Sequence, residues 1–238
     1  VDPFGNNRQI CRVGAVQREL EATPSQLFSQ ADLALQQASR DPVNPVRIHR
    51  IDERQLVLGR EGWRGLALQA LEHRWFRFQT QGVYAMADDS EQYRELFAGI
   101  EKEGVRYAAG QFMPYVEQFG LGARLDRYVL EQTLLFKSIH DLPLMINLSD
   151  DAVTSSEFLP WLKRFLSESC KSGVSLVLEV SEQSAVYHPK ILEELFAHCH
   201  SLGIRCGIDR FGHYFDKLGD MAALEPDYIK VDISDLDV

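Results

Sequence analysis

Polar and charged side chains stand at the ends of several apolar runs in this sequence. Asn147, Glu179 and Asp209 each come directly after such a run, and Lys230 and Asp232 lie at the end of another. Carboxylate and amide oxygens are ligands that Mg²⁺ or Mn²⁺ prefers, often together with substrate phosphates. A lysine beside them could polarise a phosphoryl oxygen or orient a water molecule. If the runs are strands, these groups form a candidate metal or phosphate site.

Helix-like stretches separate the runs, which predicts parallel strands whose carboxyl ends meet on one face. Any one of these polar residues, taken alone, is more commonly a solvated side chain next to a loop. Several of them in the same position favour a shared site. Arg210 directly follows Asp209 and brings a cation to the same edge. The candidate set from residue type and position is Glu95, Asn147, Glu179, Asp209, Lys230 and Asp232.

Composition limits the possible classes of protein. The 238 residues are 45% apolar, which is enough for one large domain with an appendage. The net charge of −10 argues against a general nucleic-acid binder, although a local basic site could still hold a phosphate. No apolar run approaches the roughly 20 residues that span a bilayer, and the N-terminus lacks a signal-peptide pattern. The four cysteines show no zinc-type spacing, which favours a reduced, cytoplasmic protein.

Apolar periodicity predicts alternating strands and helices over most of the chain. The predicted strands are Trp75–Tyr84, Tyr93–Ile100, Leu144–Leu148, Ser175–Val180, Ile204–Asp209 and Tyr228–Asp232. The predicted helices are Ser25–Ser39, Gln55–His73, Ala109–Phe119, Arg124–Ser138, Ser156–Ser169, Pro189–Leu202 and Phe215–Leu224. Repeated strand–helix units favour a parallel barrel or a doubly wound sheet. About six strands are too few for a closed barrel.

Several segments, in the right order, resemble the motifs of the EAL family of barrel phosphodiesterases. The opening strand Phe76-Arg-Phe-Gln-Thr-Gln-Gly-Val resembles that family's first strand, and Phe112-Met-Pro-Tyr-Val-Glu its "FIPxAE" helix start. Leu144-Met-Ile-Asn-Leu-Ser resembles its "NLS" strand, and Leu178-Glu-Val-Ser-Glu resembles its "ELTE" strand. Tyr228-Ile-Lys-Val-Asp resembles its "KxD" strand, and Gly207-Ile-Asp-Arg-Phe-Gly its "DDFG" element. The resemblance extends from Trp75 to the C-terminus.

This resemblance implies an α/β fold, a TIM-like (β/α) barrel that is incomplete at its C-terminus in this sequence. It also implies cyclic di-GMP as the ligand. The ligand-binding residues would be Gln81, Phe97, Asn147, Glu179, Asp209, Arg210, Lys230 and Asp232. An active member would bind Mg²⁺ or Mn²⁺ through Glu95, Asn147, Glu179 and Asp209, with Lys230 in a catalytic role. Binding alone would require no cofactor.

Three positions depart from the family pattern. The three residues that give the EAL family its name align with Glu95-Leu96-Phe97, in which the glutamate is kept and Phe97 replaces the leucine. The family's phosphate-binding arginine falls on Gly99. The second aspartate of "DDFG", a metal ligand in active members, is Arg210. A guanidinium in place of a carboxylate changes the local charge by two units, and such a pair interaction amounts to roughly 4 kcal/mol at 4 Å with intermediate screening. The change should weaken a second metal site, while the same guanidinium is suited to bind phosphate.

The N-terminal part has a resemblance of its own. Cys11-Arg-Val-Gly-Ala-Val and Gln30-Ala-Asp-Leu-Ala-Leu-Gln-Gln-Ala are similar to the last strand and helix of a GGDEF domain. The expected organisation is therefore a GGDEF remnant over residues 1–45, a linker helix over 46–74 and an EAL-like barrel over 75–238. A plain amphipathic helix and strand would explain the first segment equally simply.

Three hypotheses about function follow. The first is a catalytically inactive cyclic di-GMP receptor that signals by conformational change, as in the LapD-like receptors of the EAL family. Gly110-Gln-Phe-Met-Pro and Arg124-Leu-Asp-Arg resemble that subgroup. The second is an active phosphodiesterase, and the third a protein-interaction scaffold without ligand. The first implies a homodimer with a protein partner, in a cytoplasmic module of a bacterial inner-membrane protein. The helix Gln55–His73 would be either the hinge or a plain linker.

Overall fold

A computed structural model describes residues 13–17, 31, 34–35, 46–50, 58–136, 142–212, 214, 219 and 222–231. The chain divides into two compact units, Val1–Gly59 and Arg60–Val238. Each unit is described separately below.

The first unit contains two parallel strands, β1 (Val13–Gln17) and β2 (Val46–Arg50). In their register Val13 lies opposite Val46, and Gln17 lies opposite Arg50. A Cβ on Gly14 would overlap the backbone of Ala31 and Leu35, so the glycine lets a helical segment lie against β1. Strand β2 falls within residues 46–74, where the sequence predicted a linker helix. Its alternating β-branched residues, as in Val46-Arg-Ile-His-Arg, explain why it extends beside β1 instead.

The second unit begins with helix α1 (Arg60–His73), followed by strands β3 (Phe76–Tyr84), β4 (Glu91–Lys102) and β5 (Val105–Tyr107). Helices α2 (Ala109–Gln118) and α3 (Gly122–Phe136) come next. The remaining elements are β6 (Leu144–Leu148), α4 (Asp150–Thr154), α5 (Phe158–Lys171), β7 (Leu176–Ser181), α6 (Glu182–Tyr187), α7 (Pro189–Ser201), β8 (Arg205–Phe211) and β9 (Tyr228–Val231).

The sheet of the second unit has the strand order β3-β4-β6-β7-β8-β9, with β5 paired to β4. Strands β4, β6, β7, β8 and β9 are parallel, and β3 forms an antiparallel hairpin with β4. Chain order equals spatial order, which is the result of successive strand–helix crossovers of one hand. This mostly parallel sheet confirms the predicted α/β fold class, and in the described residues its strands do not close into a barrel.

Side chains point alternately to the two faces of the sheet, and each face has its own group of buried residues. One face of the sheet packs on the helices, where Leu178 of β7 and Ile208 of β8 join Leu162 of α5 and Phe196 of α7 in one buried cluster. The opposite face carries a small cluster of Tyr93, Met145 and Val177 and then the polar residues of the candidate site. The apolar runs of the sequence reflect burial on both faces of the sheet.

Helix α1 is an integral part of the second unit. Its Trp63 ring stacks on Tyr115 of α2 with centroids 5.6 Å apart and meets Tyr107 of β5 edge-on at the same distance. The described helix begins at Arg60, whereas apolar spacing predicted a start at Gln55. The glycine at position 65 has open space around its Cβ position, so no close approach requires it.

Most predicted elements lie within a few residues of the observed ones, and β6 has the predicted bounds. Strand β5 and helices α4 and α6 were not predicted. The predicted helix Phe215–Leu224 falls largely outside the described residues, as do the segments 18–30 and 36–45 of the first unit.

Candidate functional site

The candidate site lies on the face of the sheet that is turned away from the helices. Strand register places Asn147 beside Glu179 and Glu179 beside Gly207, on three adjacent parallel strands. Glu95 of β4 is the neighbour of Gln81 in the hairpin. Because side chains alternate in a strand, residues at these positions project from the same face.

Lys230 joins the two glutamates of this face. Its Nζ donates hydrogen bonds to Glu95 Oε2 and to Glu179 Oε2, both at 2.9 Å, and lies 3.8 Å from Met145 Sδ. The Glu179 side chain is fully buried, and that of Lys230 is 25% exposed. Burial lowers the pKa of Lys230, but its bonds to Glu179 and Glu95 outweigh this effect and leave that pKa raised. The lysine is therefore charged and holds β9 to β4 and β7.

Asn147 completes the cluster through an amide hydrogen bond from Nδ2 to Glu95 Oε1 at 3.1 Å. Burial raises the pKa of Glu179. Lys230 opposes this rise, and the charge of Asp209 adds to it. Glu179 Oε1 is buried and has no hydrogen-bond partner in the described chain. The buried Tyr228 hydroxyl also has no well-aligned hydrogen bond among the described residues, but it lies close enough to lower the pKa of Glu179.

These residues offer the hard oxygen donors that a divalent cation needs. A buried, unpartnered carboxylate oxygen at Glu179 fits a cation ligand. The two glutamates converge on the Lys230 ammonium, however, and in the described part of the chain no three acidic, histidine or cysteine side chains come together as a metal site. A divalent cation would therefore compete with Lys230 for Glu95 and Glu179.

An aromatic pair forms the base of the cluster. Tyr228 and Tyr93 stack with ring centroids 5.7 Å apart, and burial is the first cause of the raised pKa of both hydroxyls. A Cβ on Gly207 would lie 2.5 Å from two carbons of the Tyr228 ring, so only glycine lets this ring cross β8. Neither the two tyrosines nor the role of Gly207 was predicted from the sequence. The alternation of Gly207 with Asp209 was the signal that the glycine belongs to the site face.

The first prediction concerns this glycine. Gly207→Ala should displace the Tyr228 ring and with it the start of β9, at a cost of about 1–3 kcal/mol in unfolding free energy. Urea denaturation measures the change, and Gly65→Ala is the matched control because its Cβ position is open. An equal stability of Gly207→Ala and wild type would contradict the assigned packing.

Asp209 and Arg210 lie where β8 leaves its regular path. The pairing of β8 with β9 shifts register between Ile208 and Phe211, and Arg210 has a left-handed backbone with φ of 54°. The Arg210 Nε is 3.7 Å from Asp209 Oδ2, and the arginine side chain is 71% exposed. Arg210 also opposes the burial-driven rise in the pKa of Glu117. The irregularity therefore directs the guanidinium towards α2.

Arg210 lines a cleft of about 640 Å³ at the carboxyl ends of β6, β7 and β8. It is the one cation among the described residues that line this cleft; the acidic ones are Glu117, Asp126, Asp150, Asp151, Glu182 and Asp209. Buried Glu182 accepts hydrogen bonds from the backbone N–H groups of Gly212 and Tyr214, both at 3.1 Å. It thereby fixes the chain that follows Arg210.

Asp126 is a second buried acid of the cleft. Its Oδ2 accepts hydrogen bonds from the backbone N–H and the hydroxyl of Ser149, both at 2.7 Å. Burial raises the pKa of this carboxyl to about 7, against the hydrogen bonds from Ser149. Ser149 in turn caps α4 by accepting from Ala152 N–H, so Asp126 positions the segment directly after Asn147.

The structure brings Glu95, Asn147, Glu179 and Lys230 of the predicted set into direct contact and places Asp209 near them. Gln81 lies opposite Glu95, and Phe97, 39% exposed, lies two residues further along the same face. Lys230, Glu95, Glu179 and Asn147 are called the Lys230 cluster below. Arg210 lines the adjoining cleft and is not part of this cluster. Asp232 is outside the described residues.

The residues 66–237 match the family model of the EAL domain, which covers more than half of the chain, and the chain belongs to this family. Its fold is similar to a Vibrio cholerae LapD structure containing the S helix, GGDEF and EAL regions, solved with c-di-GMP bound. The TM-score is 0.71 at 28% identity, over 91% of this chain and 54% of that one.

Two further relatives are informative. The FimX EAL domain from Pseudomonas aeruginosa, solved with c-di-GMP, gives a TM-score of 0.63 at 25% identity over 72% of both chains. The curated cyclic di-GMP phosphodiesterase PdeF of Escherichia coli is 27% identical over 69% of this chain. The chain spans 22% of the length of PdeF and about half of the LapD structure.

Proposed function

We propose that this chain is a receptor module that binds cyclic di-GMP, signals by a ligand-dependent conformational change, and hydrolyses the ligand weakly or not at all. The observation that carries the proposal is the Lys230 ammonium held between Glu95 and Glu179 at 2.9 Å from each. A cation built into the protein holds the two carboxylates together and offers its charge to a phosphate. LapD and FimX, each solved with c-di-GMP, support the choice of ligand.

The ligand would lie along the site face from the Lys230 cluster onto the hairpin. Lys230 and Arg210 supply positive charge for phosphodiester oxygens, while the amides of Gln81 and Asn147 supply donors. The exposed ring of Phe97 offers a surface on which a guanine can stack. Glu179, Asp209 and Asp232 complete the proposed ligand-binding set.

Arg210 is the residue that favours binding over hydrolysis. Its guanidinium stands 3.7 Å from Asp209, a proposed metal ligand, and adds positive charge where a second divalent cation would need negative charge. Repulsion at this range amounts to a few kcal/mol even when screened. The 71% exposed side chain is free to reach a ligand phosphate from the rim of the cleft.

An active phosphodiesterase is the second candidate function. The intact set Glu95, Asn147 and Glu179, with the unpartnered Glu179 Oε1, favours it. Such an enzyme would use Mg²⁺ or Mn²⁺, held by these three residues and Asp209, and the metal would supply Lewis-acid activation of the phosphodiester. Lys230 would then hold or move a proton beside the reacting group.

Calorimetric titration of the full chain with cyclic di-GMP, with and without Mg²⁺ or Mn²⁺, tests the proposal. We expect binding at micromolar ligand without metal, and slow or no conversion to the linear dinucleotide. Absence of binding would contradict the receptor and support a protein-interaction scaffold. Rapid turnover with metal would favour the phosphodiesterase.

Arg210→Asp is the second prediction. Restoring a carboxylate should raise metal-dependent hydrolysis at least tenfold over wild type, because a second cation then has a ligand in place of a repelling charge. Chromatography of the linear product measures the rate, and Arg210→Ala separates loss of the cation from gain of the carboxylate. Equal rates for all three chains would show that Arg210 does not limit hydrolysis.

The signalling role rests on further proposals. Residues 1–45 would be a GGDEF remnant, which is supported by the 91% coverage of this chain in the GGDEF–EAL structure of LapD. The module would be cytoplasmic, attached to a bacterial inner-membrane receptor, and would form a homodimer and bind a protein partner. Among the described residues, no helix is long and apolar enough to cross a membrane. Helix α1, packed through Trp63, would be the element that moves.

A further inference from the structure

A buried glycine and an exposed arginine, Gly99 and Arg106, meet at the far end of the β3–β4 hairpin. Gly99 lies on the same side of β4 as Glu95 and Phe97, because side chains alternate along a strand. A Cβ on Gly99 would lie 3.3 Å from the backbone oxygen of Tyr107, 3.6 Å from Nε of Arg106 and 3.9 Å from its Nη2. The Arg106 guanidinium, from strand β5, therefore lies beside the space into which a side chain at position 99 would extend.

This guanidinium has no partner among the residues that the structure describes. Throughout the described residues Arg106 forms no ion pair or hydrogen bond, although its side chain is exposed on a polar face. Arg77 on the same face behaves differently: its Nε is 3.9 Å from Glu101 Oε2, and its Nη1 donates to two backbone carbonyls. Arg106 is thus a fully available forked donor on this surface.

The spacing fits a dinucleotide. Gly99 is four residues beyond Glu95, which is roughly 13 Å along a strand. Phe97 lies between them with an exposed ring. A ligand with one phosphodiester at the Lys230 cluster and a base stacked on Phe97 would bring its second phosphodiester towards Arg106.

We propose that Arg106 binds a phosphodiester group of the ligand at the end of the site opposite the Lys230 cluster. The inference rests on the proposed function, because it takes cyclic di-GMP as the ligand. A guanidinium binds two phosphate oxygens through parallel N–H donors, which an exposed lysine cannot reproduce. Arg106 is exposed and lies beside the buried Gly99, so its guanidinium is accessible to such a group.

Titration calorimetry with cyclic di-GMP tests the assignment. Arg106→Ala should weaken binding at least tenfold, and Arg106→Lys should recover only part of the loss. Arg164→Ala is the matched control and should bind as wild type does, because Arg164 is an exposed arginine on α5 with no ion pair to any described residue. Circular dichroism checks that each variant is folded.

A relocated guanidinium provides the specific readout. In the Arg106→Ala background, Gly99→Arg places a new guanidinium in the space that Arg106 vacated, and binding should return to within a few-fold of wild type. Unchanged affinity of Arg106→Ala beside normal wild-type binding would overturn the inference and leave the proposed function standing. No binding by wild type would instead overturn the proposed function. Loss of binding in Arg106→Ala without recovery in the double variant would overturn the phosphodiester contact at this place.

Discussion

Replacing Lys230 with methionine should lower the unfolding free energy of the chain by about 3–5 kcal/mol at pH 7.5. The methionine keeps most of the aliphatic side chain but leaves Glu179, which is fully buried, without its ammonium partner at 2.9 Å. Glu95 loses the same partner. Two carboxylates would then face each other on the site face with no cation between them. Urea denaturation followed by tryptophan fluorescence measures the change.

The loss should shrink as the pH falls. Burial already raises the pKa of Glu179 in the wild-type chain, and removal of Lys230 raises it further. Because the pKa of Glu179 is higher in the folded than in the unfolded chain, its protonated carboxyl stabilises the fold at low pH. This contribution is lost as the pH rises through the folded-state pKa. Lys230→Met should therefore approach wild-type stability near pH 4 and diverge from it with increasing pH.

Two controls define the Lys230 effect. Lys163→Met removes a surface lysine whose partner Glu194 is 79% exposed, and it should change stability by less than about 1 kcal/mol. The double variant Lys230→Met with Glu179→Gln neutralises the stranded carboxyl and should regain much of the loss. An unaltered stability of Lys230→Met at pH 7.5 would rule out the buried ion pair. Added Mg²⁺ or Mn²⁺ should stabilise Lys230→Met more than wild type, because the competing ammonium is gone.

Asp126→Asn should remove a large part of the pH dependence of stability. The folded carboxyl has a pKa of about 7 against an ordinary value of 3.8. Its protonated form therefore stabilises the fold below pH 4, and this contribution is lost as the pH rises to about 7. The difference corresponds to about 4 kcal/mol. Asparagine cannot ionise, and its amide oxygen can still accept from Ser149.

The measurement compares unfolding free energies at pH 4 and pH 8. The wild-type value should fall by about 4 kcal/mol more than that of Asp126→Asn over this range. Asp89→Asn, at an exposed position with positive φ that asparagine tolerates, should follow the wild-type curve. Parallel curves for wild type and Asp126→Asn would mean that the Asp126 carboxyl is ionised in the folded chain at pH 5.

Long, strongly periodic elements could be predicted from the sequence. Strand β6 has its predicted ends, because Leu144–Leu148 is apolar on both sides and flanked by turn residues. Helices α4 and α6 were missed because five or six residues do not complete two apolar turns. Each nevertheless begins at a serine followed by an acidic residue, and Ser149 and Ser181 both accept from a backbone N–H three residues on. That capping signal was present in the sequence.

The members of the site could be predicted better than their contacts. Residue type and strand position identified Glu95, Asn147, Glu179 and Lys230, since parallel strands bring their carboxyl ends together. They could not show that Lys230 would pair with both glutamates, because that depends on the register of β9 against β8. The bulge between Ile208 and Phe211 is equally invisible in the sequence, and it is what turns Arg210 away from the cluster.

The bond from Lys230 to Glu95 spans 135 residues of sequence. A nascent chain leaves the ribosome with Glu95 first, then Glu179 and much later Lys230, so both carboxylates await their counter-charge while the intervening strands fold. The site cannot exist in a partly synthesised chain. If the proposed ligand binds at this site, its binding requires a chain in which β9 has already docked on β8.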